Sequence, residues 1–336
     1  MKNDLNEEID FVILWVDGND IEWKKEKNKY NIDNQNDNNS EARYRDWENL
    51  QYWFRGVEKF APWVHKVFFI TYGHLPKWLN INHPKLEIVK HSDFIPKKYL
   101  PTFNSNAIEL NLDKIGELSE KFVLFNDDMF LCKKVNKNDF FKNNLPCECF
   151  IEDSSTSPSK TDSFAHVIIN NMQIVNENFN KRNVTRKNFF KFFNIKYGIN
   201  LVRNICLIPW KRYSAIKDLH IPVSLLKSTI TELWNRENES LDRTCSTKFR
   251  NENNINQYLF RYWQLMEGKF YPRSTRVGKM YQISEENNEY LDAIRKQKYK
   301  MICINDGKTV SNFEKTKLDI IEAFEYILPE KSEYEN

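Results

Sequence analysis

The chain has 336 residues, enough for one large or two modest domains, and its 40% hydrophobic and 14% aromatic content can fill a sizeable core. A net charge of +3, with Lys and Arg dispersed among acids, leaves no footprint for nucleic acid. The absence of G-x-x-x-x-G-K-[ST] and G-x-G-x-x-G, with only eight glycines, excludes a long Gly-rich phosphate loop, and no stretch approaches the roughly 20 apolar residues of a membrane span.

Met1 to Asp10 is charged and has no apolar h-region, so the expectation is a soluble cytoplasmic protein with at most peripheral attachment to the inner face of a membrane. Six cysteines show no C-x-x-C spacing, and Cys147-Glu148-Cys149 is too close for a structural zinc pair. Buried thiols in a reducing compartment are expected.

In chain order, Ile9 to Val16 reads as a strand closed by Asp17-Gly18-Asn19-Asp20, and the Asn-rich Asn28 to Ser40 as a loop. Asp46 then fits the N-cap of a helix carrying Leu50, Trp53, Phe54, Val57 and Phe60 on its core face. Val67 to Ile70 and Leu86 to Val89 are short strands, and the segment after Pro101 leads into a helix with Ile108, Leu112, Ile115 and Leu118. Phe122 to Asp128 follows: four apolar residues, suited to a strand buried on both faces, stop at an amide and two carboxylates. Ser154 to Ser163 reads as a loop or lid, and Asn188 to Trp234, rich in aromatic and basic residues, as mostly helical. Met301 to Ile304 is a last apolar run ending in Asn305-Asp306-Gly307, before a helix opened by the capping box Ser311 to Glu314.

Alternating strands and helices predict an α/β, Rossmann-like fold: a largely parallel sheet with flanking helices plus a helical insertion. Residues 1–150 form the α/β, nucleotide-binding half, 151–300 a mostly helical region with a lid, and 301–336 a strand and helix returning to the core. Three apolar runs end in acids, at Asp17, at Asp127 with Asp128, and at Asp306; in a parallel sheet these meet at the edge where such folds bind ligands. Adjacent acids repel unless a cation offsets the cost, and oxygen ligands suit Mg²⁺ or Mn²⁺ held with a nucleotide diphosphate. Asn126-Asp127-Asp128 alone also fits a solvated turn.

Ile-Leu-Trp-Val-Asp-Gly (13–18) resembles the first conserved region of the Stealth family. The second is resembled by Arg43-Tyr44-Arg45-Asp46, Ala61-Pro62-Trp63-Val64, Pro76-Lys77-Trp78-Leu79, the segment Leu100 to Glu109, and Phe125 to Asp128. Leu219-His220-Ile221-Pro222 with Lys248-Phe249-Arg250 resembles the third, and Cys303 to Asp306 the fourth. The resemblance implies a sugar-phosphate transferase that moves a hexose or N-acetylhexosamine 1-phosphate from a nucleotide-sugar donor to a glycan acceptor, lipid-linked or free. A phosphodiester-linked capsular or exopolysaccharide forms and a nucleoside monophosphate leaves.

The same resemblance assigns roles. Asp127 and Asp128 hold Mg²⁺ or Mn²⁺, completed by Asp306 or by Asp17, which is also a candidate catalytic acid. Trp15, Gly18, Arg43, Asp46, Asn104, Asn126 and Asn305 fall on the substrate side. Asn104 opens a helix whose free N–H groups favour phosphate. His220 is the candidate general base for the acceptor or acid for the leaving phosphate, and Arg250 the clamp on phosphate charge. Spacing alone leaves His220 as a helix-cap or core histidine, Arg250 in a surface salt bridge, and Arg43, Arg45 and Asp46 in a structural ion-pair cluster. The alternative activity is a metal-dependent glycosyltransferase that attacks the anomeric carbon, and a non-catalytic glycan-binding module is a third reading.

Overall fold

A computed structural model describes residues 8–30, 46–156, 163–284, 287–306, 310 and 312–336. Its centre is a five-stranded sheet built from β1 (Asp10–Leu14), β2 (Val67–Thr71), β3 (Leu86–Lys90), β4 (Lys121–Phe125) and β6 (Val223–Leu226), in the order β6-β4-β1-β2-β3. The first four strands run parallel, and β6 closes the edge antiparallel to β4. A three-stranded sheet joins β5 (Met129–Leu131), β7 (Gly278–Gln282) and β8 (Met301–Asn305) in the order β7-β8-β5. Here β7 and β8 are parallel and β5 opposes β8.

The apolar runs are continuous because both faces of the main sheet are covered. Phe11, Ile13, Val123 and Phe125 pack on one side with Trp53 and Phe54 of helix α2 (Leu50–Phe60). Val12, Phe68, Phe122 and Leu124 pack on the other with helices α4 (Ser163–Asn178) and α5 (Tyr258–Glu267). The last helix, α6 (Phe313–Ile327), lies on the first side, where Phe324 meets Phe130 and Tyr52. Its far end is clasped to α2 by Arg55, which donates to both Glu335 carboxylate oxygens and to the Leu328 carbonyl.

Several local expectations are corrected. The start of the loop placed at Asn28 to Ser40 is helical instead, because helix α1 (Ile21–Tyr30) runs through Tyr30 and is capped by Asp20, whose Oδ1 accepts from the Trp23 amide at 2.7 Å; residues 31–40 lie outside the described residues. Asp46 is not the N-cap of α2. That position belongs to Asn49, while Asp46 Oδ1 turns back to the Glu48 amide. The helix after Pro101 is short: α3 (Ser105–Glu109) stops where Asn111 Nδ2 donates to the Ala107 carbonyl, a side-chain bond that competes with the helix ladder. The apolar residues assigned to it are still buried. Helix α6 is capped by Asn312, whose side chain accepts from Lys315, and Ser311 lies outside the described residues, as do Ser157 to Asp162 of the loop placed at 154–163. The stretch read as mostly helical contributes β6 to the main sheet. All six cysteines are free and five are buried. No described helix is long and apolar enough to cross a membrane.

Candidate active site

Two of the predicted acidic strand ends leave one edge of the main sheet, while the third, expected in the same sheet, follows a strand of the second sheet. β1 and β4 are adjacent and parallel, so Asp17 and the Asn126-Asp127-Asp128 turn leave the same edge. Asp306 follows β8 of the second sheet, which reaches the site because the Ile304 amide donates to the Asp128 carbonyl at 2.9 Å. The Met129 amide closes a tight turn on the Asn126 carbonyl, carrying the chain from β4 into β5 with both carboxylates at the bend. Thus one turn ends a strand of each sheet.

The β1 end is held by His74. The Asp17 amide donates to His74 Nε2 at 2.7 Å, and Trp15 packs edge-on against that ring at 5.3 Å. Burial lowers the His74 pKa, consistent with an accepting Nε2. Asp17 Oδ1 accepts from the Asn19 amide across the buried Gly18. Arg43 and Arg45 lie outside the described residues.

His220 enters from the loop before β6 with φ of +49°, a left-handed backbone unusual for a residue with a side chain. Its Nδ1 lies 2.9 Å from the Tyr258 hydroxyl and 3.3 Å from Asp218 Oδ2, and Tyr258 is itself hydrogen-bonded to Asp218. This triangle leaves Nε2 toward Asp128, whose Oδ2 is 3.9 Å away. Cys303 Sγ donates to the same oxygen at 3.1 Å. Asp128, His220 and Cys303 therefore place ligand-type atoms within 4.8 Å of one another, a trio different from the predicted set of Asp127, Asp128 and Asp306.

The charges explain the titration shifts. The crowded surroundings of the turn and repulsion from Asp128 push Asp127 up to about 7, although its own side chain is exposed at the mouth of the turn. Burial raises Asp128 too, opposed by His220 and by the Cys303 hydrogen bond. Burial likewise raises Asp46, with Asp17 adding repulsion. For His220, burial works to lower the pKa, but Asp218, Asp128 and Glu109 together raise it. Burial holds the Cys303 thiol well above its ordinary range.

Glu109 is a residue that sequence reasoning left without a role. It is 6% exposed at the end of α3, and burial pushes it up to about 7 against the pull of Arg250 and His220. Its available signal was a carboxylate between Ile108 and Leu110, in an otherwise apolar turn. Asp218 and Tyr258, which orient His220, were also missed.

Arg250 is exposed and donates to Ser105 Oγ rather than entering a salt bridge with a described carboxylate. Asn104 fixes that arrangement. Fully buried, it accepts from the Asn106 amide and donates to Thr247 Oγ1 and Asn254 Oδ1, both at 2.9 Å. Its side chain is thus committed to joining the α3 start to the Arg250 loop. Asn126 and Asn305 are half-buried at their strand ends, and the Asp306 carboxylate oxygens are buried.

Comparisons with known proteins identify the family of the chain. Residues 7–35 match the model of Stealth protein conserved region 1, and residues 43–148 that of conserved region 2. A capsular polysaccharide phosphotransferase of Streptococcus pneumoniae, WcwK, is 49% identical, covering 100% of this chain and 99% of the relative. The exopolysaccharide phosphotransferase cps2G of Lactiplantibacillus plantarum is 41% identical over 98% of this chain and 96% of its own length. The receptor polysaccharide phosphotransferase WefC of Streptococcus gordonii is 37% identical over 98% and 99%. Among solved structures, the bifunctional glycosyltransferase WbbM aligns with 96% of this chain and 50% of its own at a TM-score of 0.38 and 9% identity, and mouse xyloside xylosyltransferase 1 with 89% and 98% at 0.36 and 8%. Such low structural scores carry no argument, whereas full-length identity approaching one half does: the chain belongs to the Stealth family of polysaccharide phosphotransferases.

Proposed function

We propose that the protein transfers a hexose 1-phosphate or N-acetylhexosamine 1-phosphate from a nucleotide sugar to a glycan hydroxyl, making phosphodiester links in a capsular or extracellular polysaccharide. The acceptor oxygen attacks the β-phosphorus, the bond from that phosphorus to the bridging oxygen breaks, and a nucleoside monophosphate leaves with the bridging oxygen. The observation that carries this reading is His220, oriented by Asp218 and Tyr258 at Nδ1 and facing Asp128 with Nε2. With the Nδ1 proton committed to that pair, the Nε2 lone pair is the base for the acceptor hydroxyl. The imidazolium that results is stabilised by Asp218, Asp128 and Glu109, the groups that raise its pKa. Arg250, held at Ser105, offers a guanidinium fork to phosphate oxygens.

The residues present fit a divalent cation. Asp128 Oδ1 is buried with no hydrogen-bond donor, and both carboxylates of the turn are raised by burial, a cost that a cation relieves. The protonated Cys303 thiol leaves an oxygen donor set, which suits Mg²⁺ or Mn²⁺. Asp127 and Asp128 would hold the ion, with Asp306 at hand from the second sheet, and it would supply charge neutralisation at the diphosphate. The purified protein, given a nucleotide sugar, a soluble glycan acceptor and Mg²⁺ or Mn²⁺, is expected to release nucleoside monophosphate. Release of nucleoside diphosphate instead would establish glycosyl transfer without phosphate.

A further inference from the structure

The 39 residues from Phe179 to Lys217 contain ten Lys and Arg and no Asp or Glu, although the whole chain is only +3. The rest of the molecule is therefore net acidic, and the positive charge is concentrated in this one segment. The same segment carries the densest run of exposed apolar side chains. Phe190 is 85% exposed, Ile195 88%, Ile199 83% and Trp210 56%, with Ile205 and Ile208 also above one half.

This exposure is not a loose loop. Phe192, Tyr197 and Asn204 of the segment point inward and are buried. Asn204 Nδ2 donates to the carbonyls of Phe150 and Phe192, and the Tyr197 hydroxyl donates to the Lys191 carbonyl. Lys191 and Lys196 reach back to the carbonyls of Gly268 and Pro272. Gly198, at φ of +58°, breaks the backbone between two helical turns, with Ile195 before it and Ile199, Val202 and Ile205 after it, and all four stay outward. The inward residues lock the segment while the outward ones remain uncovered. Arg182, Arg186, Lys187, Lys211 and Arg212 are exposed around them.

We infer that this face, residues 187–212, docks the enzyme on an anionic lipid bilayer. Apolar and aromatic side chains at the surface of short helical turns, ringed by Lys and Arg in a segment with no Asp or Glu of its own, meet both demands of a negatively charged membrane interface: apolar insertion to headgroup depth and electrostatic attraction. Of the face's basic residues, Arg203 is paired with Asp153. A second copy of the chain is a poorer occupant, because a two-fold contact would set the six basic residues of 187–212 against the same six. Nucleic acid would satisfy the charge and leave the isoleucines and aromatics uncovered. The inference does not rest on the sugar-phosphate reading, since it concerns a surface outside the carboxylate turn.

The test is flotation of the full chain with vesicles of phosphatidylcholine alone and with about 30% phosphatidylglycerol, beside two variants. One is Phe190→Ser/Ile199→Ser/Trp210→Ser, and the other Lys187→Glu/Lys211→Glu/Arg212→Glu. The wild-type protein is expected to float with the anionic vesicles and at least about tenfold less with the neutral ones, and to be released by high salt. Both variants should lose flotation while keeping the wild-type circular dichroism and the nucleotide release seen with a soluble acceptor. Wild-type protein that stays at the bottom with every vesicle overturns the inference, as do variants that float as well as wild type. A wild-type dimer that the apolar variant dissociates assigns the face to self-association and overturns it as well. Nucleotide release reads the carboxylate site separately, so failure of one account is distinguishable from failure of the other.

Discussion

The Asp127-Asp128 turn and the His220 loop bring ionisable side chains to the same place by opposite means. The carboxylates arrive by ordinary strand termination: β4 is buried on both faces, its last residues emerge at the sheet edge, and a tight turn bridges to the second sheet. The histidine arrives by an exception, a left-handed residue stapled by Asp218 of its own loop and by Tyr258 of α5. A regular element can place a charge coarsely. Aiming one ring nitrogen at a carboxylate 3.9 Å away takes a dedicated scaffold.

This contrast predicts different failures. Asp128→Ala or Asp127→Ala should abolish transfer by about 10³-fold or more, since the charge neutralisation lost is worth several kcal/mol, and should leave the circular dichroism unchanged. Activity within tenfold of wild type in either variant would remove the turn from the mechanism. His220→Ala should cost about 10² to 10⁴ in kcat. Asp218→Asn is subtler. Removing the partner that raises the His220 pKa should move that contribution to the acid limb to lower pH and slow the reaction about tenfold or more, whereas a purely structural Asp218 would leave the pH profile in place.

Asn104→Ala should mainly destabilise, by about 1–3 kcal/mol, because Thr247 and Asn254 lose a buried partner, and should raise KM through the misplaced Arg250. A variant of wild-type stability with lost donor binding would instead return Asn104 to direct contact with substrate. The smallest effect concerns stability and pH. Asp127 has a folded pKa of about 7, above its ordinary 3.8, so its contribution is fully present below pH 4 and is lost as pH rises through 7. Metal-free Asp127→Asn should therefore melt higher than wild type at pH 8, with the gain shrinking as pH falls toward 4 and disappearing when Mg²⁺ is added. Equal melting curves at pH 8 would contradict the raised pKa.

The same contrast marks what could be read from the chain. Continuous apolar runs at Phe11, Phe68 and Val123 gave the parallel strands, because a two-sided core forces that pattern. The acids at their ends were readable as a feature because adjacent carboxylates closing a buried strand are costly unless something offsets them. β6 was hidden within a segment rich in helix-like pattern, since four residues after Pro222 are too few to declare a period and the pairing with β4 is non-local. Glu109 looked like an ordinary helix residue, and Asp218 and Tyr258, forty positions apart, acquire meaning only through the ring between them. Asn104 was placed correctly at a helix start, but whether its amide faces ligand or neighbouring loops depends on Thr247 and Asn254, which local sequence does not bring near.

The central claim concerns which bond of the donor breaks, and an isotope follows it directly. A nucleotide sugar carrying ³²P at the β-phosphorus is incubated with the protein, the acceptor glycan and Mg²⁺ or Mn²⁺. The account predicts that the label enters the glycan as a phosphodiester and that unlabelled nucleoside monophosphate is released. Label leaving with nucleoside diphosphate, and an unlabelled glycan, would contradict it.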